Sequence, residues 1–191
     1  LIAHEQSAPV NIQIGYGEIN GTTMGAGALG QSSTFLNSFS YSTVKSALIS
    51  HEQSATQTSA YSTLPSSSPD SGNLWLSEAQ SEALGLLSNN SVSIAGYVGL
   101  ASLYPFGYGS GTPASNQYYF IGTAQHEISE VMGRISLLNA TINSSAAYGI
   151  MDLWRYSGSN ARQTGTGAAS YFSVDNGVTN LNNWNNFQTG N

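Results

Sequence analysis

The sequence predicts an α+β fold, because short stretches with strand-like alternation are interspersed with stretches of helical spacing. Val10, Ile12 and Ile14 alternate with polar residues, which predicts a half-buried strand near the start of the chain. Residues 41–50 carry apolar side chains at helical spacing and are expected to form a helix. The apolar, glycine-punctuated stretch 92–100 is typical of a buried strand.

The segments between these elements predict loops and one capped helix. Residues 24–40 are rich in Gly and Ser, and residues 56–72 are rich in Ser, Thr and Pro, so both are expected to be loops. Residues 104–116 contain two prolines and several glycines and are expected to be a loop as well. Ser77 and Gln80 have the spacing of a capping box, which predicts a helix from Ser77 that ends near residue 89.

A chain of 191 residues is expected to form one domain. We divide it into an N-terminal lobe of residues 1–134 and a C-terminal lobe of residues 135–191. In the second lobe, residues 171–175 alternate like a strand and end at Asn176-Gly177, a strong turn pair.

The composition excludes several classes of function. Charged residues make up only 7% of the chain, against about 25% in ordinary domains. The net charge is -6 with four basic residues, so no basic patch can form, and neither nucleic acid nor anionic membrane is an expected partner. Cysteine is absent, which excludes disulfides, thiolate zinc sites and cysteine nucleophiles.

The surface expected from this composition is polar but poor in charge. It is rich in Asn, Ser and Gly, which favours an exported bacterial protein, either secreted or at the cell surface. No run of about 18 apolar residues occurs, so no membrane span is predicted. The sequence leaves the oligomeric state open.

The strongest functional signal lies in residues 124–134, where His126 is followed by Glu127 and, four residues on, by Glu130. On a helix, positions i and i+4 share a face, so His126 and Glu130 can bind one metal ion together. Glu127 is rotated by about a third of a turn and can reach a water on that ion, as a general base would. Zinc accepts imidazole nitrogen and carboxylate oxygen, so Zn²⁺ is the expected cofactor.

Simpler interpretations of the same residues remain open. Glu130 and Arg134 have the spacing of an ordinary i,i+4 ion pair, and His126 is equally consistent with a satisfied, partly buried histidine. Two neighbours favour a metal. Gly133 and Met151 stand where metzincin peptidases place a turn glycine and a methionine turn.

The third metal ligand does not follow the metzincin pattern. The corresponding position is Ser136, a poor zinc ligand, so the ligand must come from elsewhere. Asp152 is the first acidic residue after Glu130 and adjoins Met151, and we predict that it is the third ligand. Asp175 is the next acidic candidate. The alternative for Asp152 is a structural ion pair with an arginine.

Two further sets of residues are singled out. Tyr156 or Arg155 follows the expected methionine turn and is a candidate to stabilise the oxyanion, although core packing is an equal alternative for Tyr156. His4 and His51 each precede Glu in two nearly identical segments, Leu1–Ala8 and Leu48–Ala55. We expect surface positions for both histidines, with a second metal site as the alternative.

Several segments together resemble a family of exported bacterial metalloproteases that carry a His-Glu-x-x-Glu-x-Met-Gly-Arg helix. The helix motif is His126–Arg134, preceded by the aromatic stretch Tyr118–Gly122. The further matching segments are Gly15–Glu18, Ala95–Leu100, Asp152–Ser157, Ala169–Asp175 and Thr179–Asn182. The chain departs from the family in having Asn176-Gly177 where two glycines are usual.

This resemblance implies a zincin-like fold, in which a mixed twisted sheet packs on helices with the metal-motif helix at the centre. It also implies a zinc-dependent endopeptidase that acts on a protein or peptide substrate. A reading from another class is a non-catalytic surface or adhesive binding domain with a structural metal or none. A serine hydrolase is not favoured, because no Gly-x-Ser-x-Gly motif occurs.

Overall fold

A computed structural model describes residues 9–69, 73–88, 93–165 and 168–184 of the chain, which has an α+β fold. The described helices are α1 Tyr41–Ser50, α2 Ala55–Ser62, α3 Glu78–Ala83, α4 Phe120–Val131 and the 3₁₀ helix Ile150–Trp154. The described strands are β1 Asn11–Tyr16, β2 Glu18–Ile19, β3 Thr22–Thr23, β4 Gly30–Thr34, β5 Leu36–Phe39, β6 Leu74–Ser77, β7 Ile94–Leu100, β8 Phe106–Gly107, β9 Tyr118–Tyr119, β10 Thr141–Ile142, β11 Ser145–Ala146, β12 Tyr148–Gly149, β13 Arg155–Gly158, β14 Ala161–Arg162, β15 Tyr171–Phe172 and β16 Asn182–Asn183.

The chain divides into two compact units that are interleaved along the sequence. The first unit consists of Leu1–Leu36, Ser77–Ala83 and Leu87–Arg134. The second consists of Asn37–Leu76, Leu84–Leu86 and Ile135–Asn191. Residues 37–76, which we assigned to the N-terminal lobe from the sequence, therefore group with the C-terminal segment.

The first unit is built on a three-stranded sheet with β7 in the middle. β1 pairs with β7 in parallel and β4 pairs with it antiparallel, which leaves β4 at one edge of this sheet. The alternating stretch that begins at Val10 does form a strand, as predicted. Val10 and Ile12 pack against the core, whereas Ile14 is exposed.

Helix α4 packs across this sheet through one apolar stripe. Phe120, Ala124, Ile128 and Val131 follow one another at intervals of four, four and three residues, which places them on one helix face. They contact a buried cluster of Ala95, Val98 and Leu100 on β7. Gly96 permits this close packing, because a Cβ there would lie 2.8 Å from Val131 Cγ1.

A glycine turn ends helix α4. Gly133 has φ +99°, its N–H donates to the Glu130 carbonyl, and the Arg134 N–H donates to the Ser129 carbonyl. These two bonds form a Schellman motif with Gly133 in the left-handed position. A Cβ on Gly133 would also overlap the Gln80 side chain, whose amide donates to the Gly133 carbonyl at 3.1 Å. Both the positive φ and the close approach of Gln80 therefore require glycine at position 133.

The second unit contains α1, α2, the 3₁₀ helix, the two-stranded pair β10-β11 and two larger sheets. One sheet has the strand order β12-β6-β5, and the other has the order β14-β13-β15-β16. The largest fully buried side chains in this unit are those of Val44, Leu48, Leu74, Leu76, Tyr148, Asp152, Leu153 and Tyr156.

Some local predictions are confirmed by the structure. Helix α1 has the bounds expected from its spacing. Ser77 and Gln80 form the reciprocal capping box, with both side chain to backbone bonds at 3.1 Å, although α3 ends at Ala83, earlier than expected. The Asn176-Gly177 turn is present, with φ of 61° and 83°.

Two loop predictions are wrong, and one predicted strand is shorter than expected. Residues 24–40 contain β4 and β5, because backbone pairing holds a segment that lacks any apolar alternation. Residues 56–72 contain most of α2, whose N-cap is Ser54, with its side chain accepting from the Gln57 N–H. The strand expected over 171–175 is limited to β15. Among the described helices, none is both long and apolar enough to cross a membrane.

Candidate metal centre

Helix α4 brings the two sequence-predicted ligands of the first unit together. His126 Nε2 lies 3.0 Å from Glu130 Oε1, as the i,i+4 spacing predicts. The His126 side chain is 41% exposed and that of Glu130 is 14% exposed, so the pair opens toward solvent on the imidazole side.

Glu127 lies in the cleft beside this pair and is itself 7% exposed. The cleft has a volume of about 500 Å³ and is lined by Leu29, Gly30, Tyr119, Gly122, Thr123, His126 and Glu127. Gly30 on β4 leaves the room that the carboxyl group occupies, because a Cβ there would lie 2.5 Å from Glu127 Oε1. Burial raises the pKa of Glu127, and the neighbouring Glu130 raises it further, while His126 and Arg134 partly oppose the shift.

Ser32 on β4 holds the other oxygen of Glu130. Its Oγ donates to Glu130 Oε2 at 2.5 Å, which leaves Oε1 directed at His126. Ser32 was not predicted as a site residue, because it lies in a segment expected to be a loop. No local pattern marks it, and only the pairing of β4 with β7 brings it to the helix.

Arg134 occupies the opposite side of His126. The ion pair with Glu130 considered from the sequence is not formed. Instead, the guanidinium NH2 group lies 3.2 Å from His126 Nδ1, and Nε donates to Ser129 Oγ at 2.6 Å. Ser129 Oγ in turn donates to the His126 carbonyl at 2.7 Å.

The donor set fits zinc in part. Two ligands at about 2.0–2.1 Å from a tetrahedral ion lie about 3.3 Å apart, close to the distance between His126 Nε2 and Glu130 Oε1. A catalytic zinc site has three protein ligands and a water. In the part of the chain that the structure describes, no cluster of three or more His, Cys, Asp or Glu side chains is arranged to hold a metal.

Asp152, the third ligand predicted from the sequence, belongs to the second unit and is fully buried. Its Oδ1 accepts from Ser136 Oγ at 2.6 Å, and its Oδ2 accepts from the N–H groups of Leu137 at 3.0 Å and Gly149 at 2.8 Å. Burial raises the pKa of Asp152, and these hydrogen bonds and Arg155 oppose the shift. Asp152 thus has a structural role within its own unit, and its role as a ligand stays a prediction.

Tyr156 also belongs to the second unit, where its side chain has no exposed surface. The Arg162 guanidinium lies 4.7 Å from the centre of its ring. This geometry favours the core-packing alternative, and a catalytic role for Tyr156 stays a prediction.

Asp175, the other acidic candidate for the third ligand, is bound within residues 173–179. Its carboxylate accepts hydrogen bonds from the Ser173 hydroxyl group and from the N–H and hydroxyl groups of Thr179.

The other two histidines lie apart from this cluster in the sequence. His51 ends helix α1 in the second unit, and its Nδ1 lies 2.9 Å from the Ala47 carbonyl. His4 lies outside the described residues. His51 therefore contacts a carbonyl in the last turn of its own helix.

Comparisons with known proteins identify no family for this chain. Neither the known protein families, nor the curated proteins, nor the solved structures contain a match to this chain.

Proposed function

We propose that this chain is a zinc-dependent endopeptidase with a zincin-like fold. The observation that carries the proposal is the arrangement on helix α4. His126 and Glu130 are paired at 3.0 Å on one face, and the Glu127 carboxyl group lies in the adjoining cleft. A nitrogen and a carboxylate ligand beside a separate buried carboxyl group are the components that metal-assisted peptide hydrolysis requires.

Zinc bound at this site would lower the pKa of a coordinated water and polarise the scissile carbonyl. His126 Nε2 and Glu130 Oε1 are the atoms that would hold it. The hydrogen bond from Ser32 keeps Glu130 Oε2 occupied, so Glu130 offers one oxygen rather than two. Asp152 remains the third ligand that the sequence predicts.

Glu127 is the proposed general base. Its carboxyl group lies inside a cleft next to the metal-binding pair, and its pKa is raised by burial and by Glu130. A raised pKa suits this role, because proton transfer is most efficient when the pKa of the base approaches the working pH. Glu127 would take the proton of the attacking water and then deliver it to the leaving amine.

The cleft also offers a place for an extended substrate. β4 is an edge strand, and among the described residues it pairs only with β7. Unpaired backbone groups along an edge strand bind peptides by adding a strand to the sheet. Gly30 belongs both to β4 and to the cleft that holds Glu127, so a peptide on this edge would pass beside the base. We therefore propose a protein or peptide substrate.

The resemblance to exported bacterial metalloproteases agrees with this proposal, and we propose a secreted or cell-surface location with it. The polar, charge-poor composition supports export.

The test is the variant Glu127→Gln, with Glu52→Gln as a matched control for the loss of one carboxylate. We expect the wild-type protein to bind one zinc ion by elemental analysis and to cleave casein until the metal is removed by a chelator. Glu127→Gln should keep zinc and lose cleavage by about 10²–10⁴-fold, because an amide cannot accept the proton. Unchanged cleavage by Glu127→Gln would remove Glu127 as the base, and zinc-free, inactive wild-type protein would refute the proposal.

A second candidate function, a non-catalytic binding domain, is favoured by one observation. Tyr16, Tyr108 and Tyr118 are each about half exposed in the first unit, and the hydroxyl groups of Tyr16 and Tyr108 lie 3.4 Å apart. Exposed aromatic side chains suit a glycan or protein ligand. Binding that survives both chelation and Glu127→Gln, in a protein without peptidase activity, would establish this alternative.

A further inference from the structure

A second pocket lies in the second unit, and none of its lining residues belongs to helix α4. It has a volume of about 500 Å³, within the range of cavities that bind small ligands. One tryptophan, two aliphatic side chains and four uncharged polar side chains line it. We call it the Trp75 pocket. Every lining residue belongs to the second unit, so the pocket is complete within one compact part of the chain.

Trp75 provides the aromatic wall of this pocket. It lies on β6, the middle strand of the sheet with the order β12-β6-β5. Its neighbours Leu74 and Leu76 are fully buried, whereas Trp75 is only partly buried. Because side chains alternate across a strand, the indole ring points away from the side on which the two leucines pack. Pairing of β6 on both edges holds the backbone that carries this ring.

The β10–β11 hairpin supplies a second wall. Ile142 pairs with Ser145, and the two residues between them, Asn143 and Ser144, form the turn. Both have positive φ, 51° and 63°, as a type I′ turn requires. The Asn143 side chain is therefore carried on a tight two-residue turn, where it lines the pocket.

The polar side chains of the pocket are available to a ligand. They are the hydroxyl groups of Ser38 and Ser145 and the amides of Asn73 and Asn143, and none of these four side chains has a hydrogen-bond partner among the described residues. Hydroxyl groups donate and accept, and each amide offers both kinds of group. No charged side chain lines the pocket, so an ionic ligand would meet no opposite charge there.

We propose that the Trp75 pocket binds a neutral saccharide. A sugar ring has a face of C–H groups that packs on an aromatic ring, and a rim of hydroxyl groups that both donate and accept hydrogen bonds. The pocket offers one indole ring beside two amides and two hydroxyl groups, without charge. This inference goes beyond the proposed peptidase and gives the second unit a binding role of its own.

The test is isothermal titration calorimetry of the full chain with neutral tetrasaccharides, namely cellotetraose, maltotetraose, mannotetraose and chitotetraose, and with tetragalacturonate as the charged probe. We expect a neutral tetrasaccharide to bind and tetragalacturonate not to bind. Trp75→Ala should weaken the binding about tenfold, because the stacking contact is lost. Asn143→Gly keeps a residue that tolerates positive φ and removes the amide, so it should weaken the binding about threefold.

Phe35→Ala is the matched control, because it removes a partly exposed aromatic ring from the first unit, and the affinity should stay unchanged. Melting by circular dichroism shows whether Trp75→Ala is folded. If it is not, Asn143→Gly and Asn73→Ala decide the question, because both replaced residues are exposed.

The proposal is overturned if none of the neutral tetrasaccharides binds the folded wild-type chain at millimolar concentration. It is also overturned if Trp75→Ala, or both asparagine variants, bind as tightly as wild type. Loss of binding in Tyr108→Ala but not in Trp75→Ala would place the saccharide on the first unit instead. Equal affinity for tetragalacturonate would refute the argument from charge. The measurement needs neither zinc nor peptidase activity, so failure of the proposed function would leave this inference standing.

Discussion

Asp152 offers a test that separates a structural carboxylate from a metal ligand. Replacement by Ala removes the acceptor of two backbone N–H groups, those of Leu137 and Gly149, in a side chain that has no exposed surface. Each stranded donor costs about 1–3 kcal/mol. The expected loss of unfolding free energy is therefore about 2–6 kcal/mol, which lowers the melting temperature of a chain this long by on the order of 10 °C.

Asp152→Asn is the matched variant. The amide oxygen can accept from both backbone N–H groups, and the amide NH₂ can donate to Ser136 Oγ, because a hydroxyl group both donates and accepts. Only the charge near Arg155 is lost, and burial already disfavours that charge, so we expect Asp152→Asn to cost clearly less than Asp152→Ala. The measurement is thermal unfolding of wild type and both variants by circular dichroism. If Asp152→Ala melts no lower than Asp152→Asn, the hydrogen-bond argument is refuted.

The same pair of proteins tests the third ligand predicted from the sequence. Asp152→Asn keeps the fold but removes an anionic ligand, so its zinc affinity should fall by orders of magnitude if Asp152 binds the ion. Unchanged zinc affinity in the folded Asn variant would remove Asp152 from the ligand set.

Two further predictions concern other titratable groups. His51→Ala should leave the zinc content unchanged in elemental analysis, since His51 already has a partner in the Ala47 carbonyl, and loss of the ion would show that His51 is a ligand. Hydrogen bonds from Thr179 and Ser173 lower the pKa of Asp175 to about 2. The ionised carboxylate therefore stabilises the fold above its ordinary pKa of about 3.9, and this stabilisation is lost as the pH falls through about 2. Asp175→Asn should therefore melt below wild type near neutral pH, with a difference that shrinks in acid, and a difference that grows in acid would contradict this assignment.

Local signals predicted the elements that local interactions determine. The metal-motif helix, α1 and the Ser77 capping box follow from spacing and from side chains three or four residues apart. Helix α2 was missed although a signal existed. Ser54 and Gln57 stand three residues apart: the Ser54 side chain accepts from the Gln57 N–H, and the Gln57 side chain accepts from the Gln53 N–H.

β4 was missed for a different reason. Its sequence, Gly-Gln-Ser-Ser-Thr, has no apolar alternation, and its strand conformation depends on antiparallel pairing with β7, more than 60 residues later in the chain. Without β4, neither the Ser32 bond to Glu130 nor the contact of Gly30 with Glu127 can be inferred. The half of the candidate site on the helix was predictable, whereas the half on the strand depends on long-range pairing.

The i,i+4 spacing of His126 and Glu130 is compatible with two chemical states, and this limits what the motif alone can establish. The spacing that lets both side chains bind one ion also lets Nε2–H donate to the carboxylate, a hydrogen bond that is complete without a metal. Residues outside the pair contact both of its members. The Arg134 guanidinium lies 3.2 Å from His126 Nδ1, and Ser32 donates to Glu130 Oε2, which leaves Oε1 facing His126. A zinc ion bound by the pair would therefore have to replace the contact between His126 and Glu130, so the motif by itself is evidence for either state.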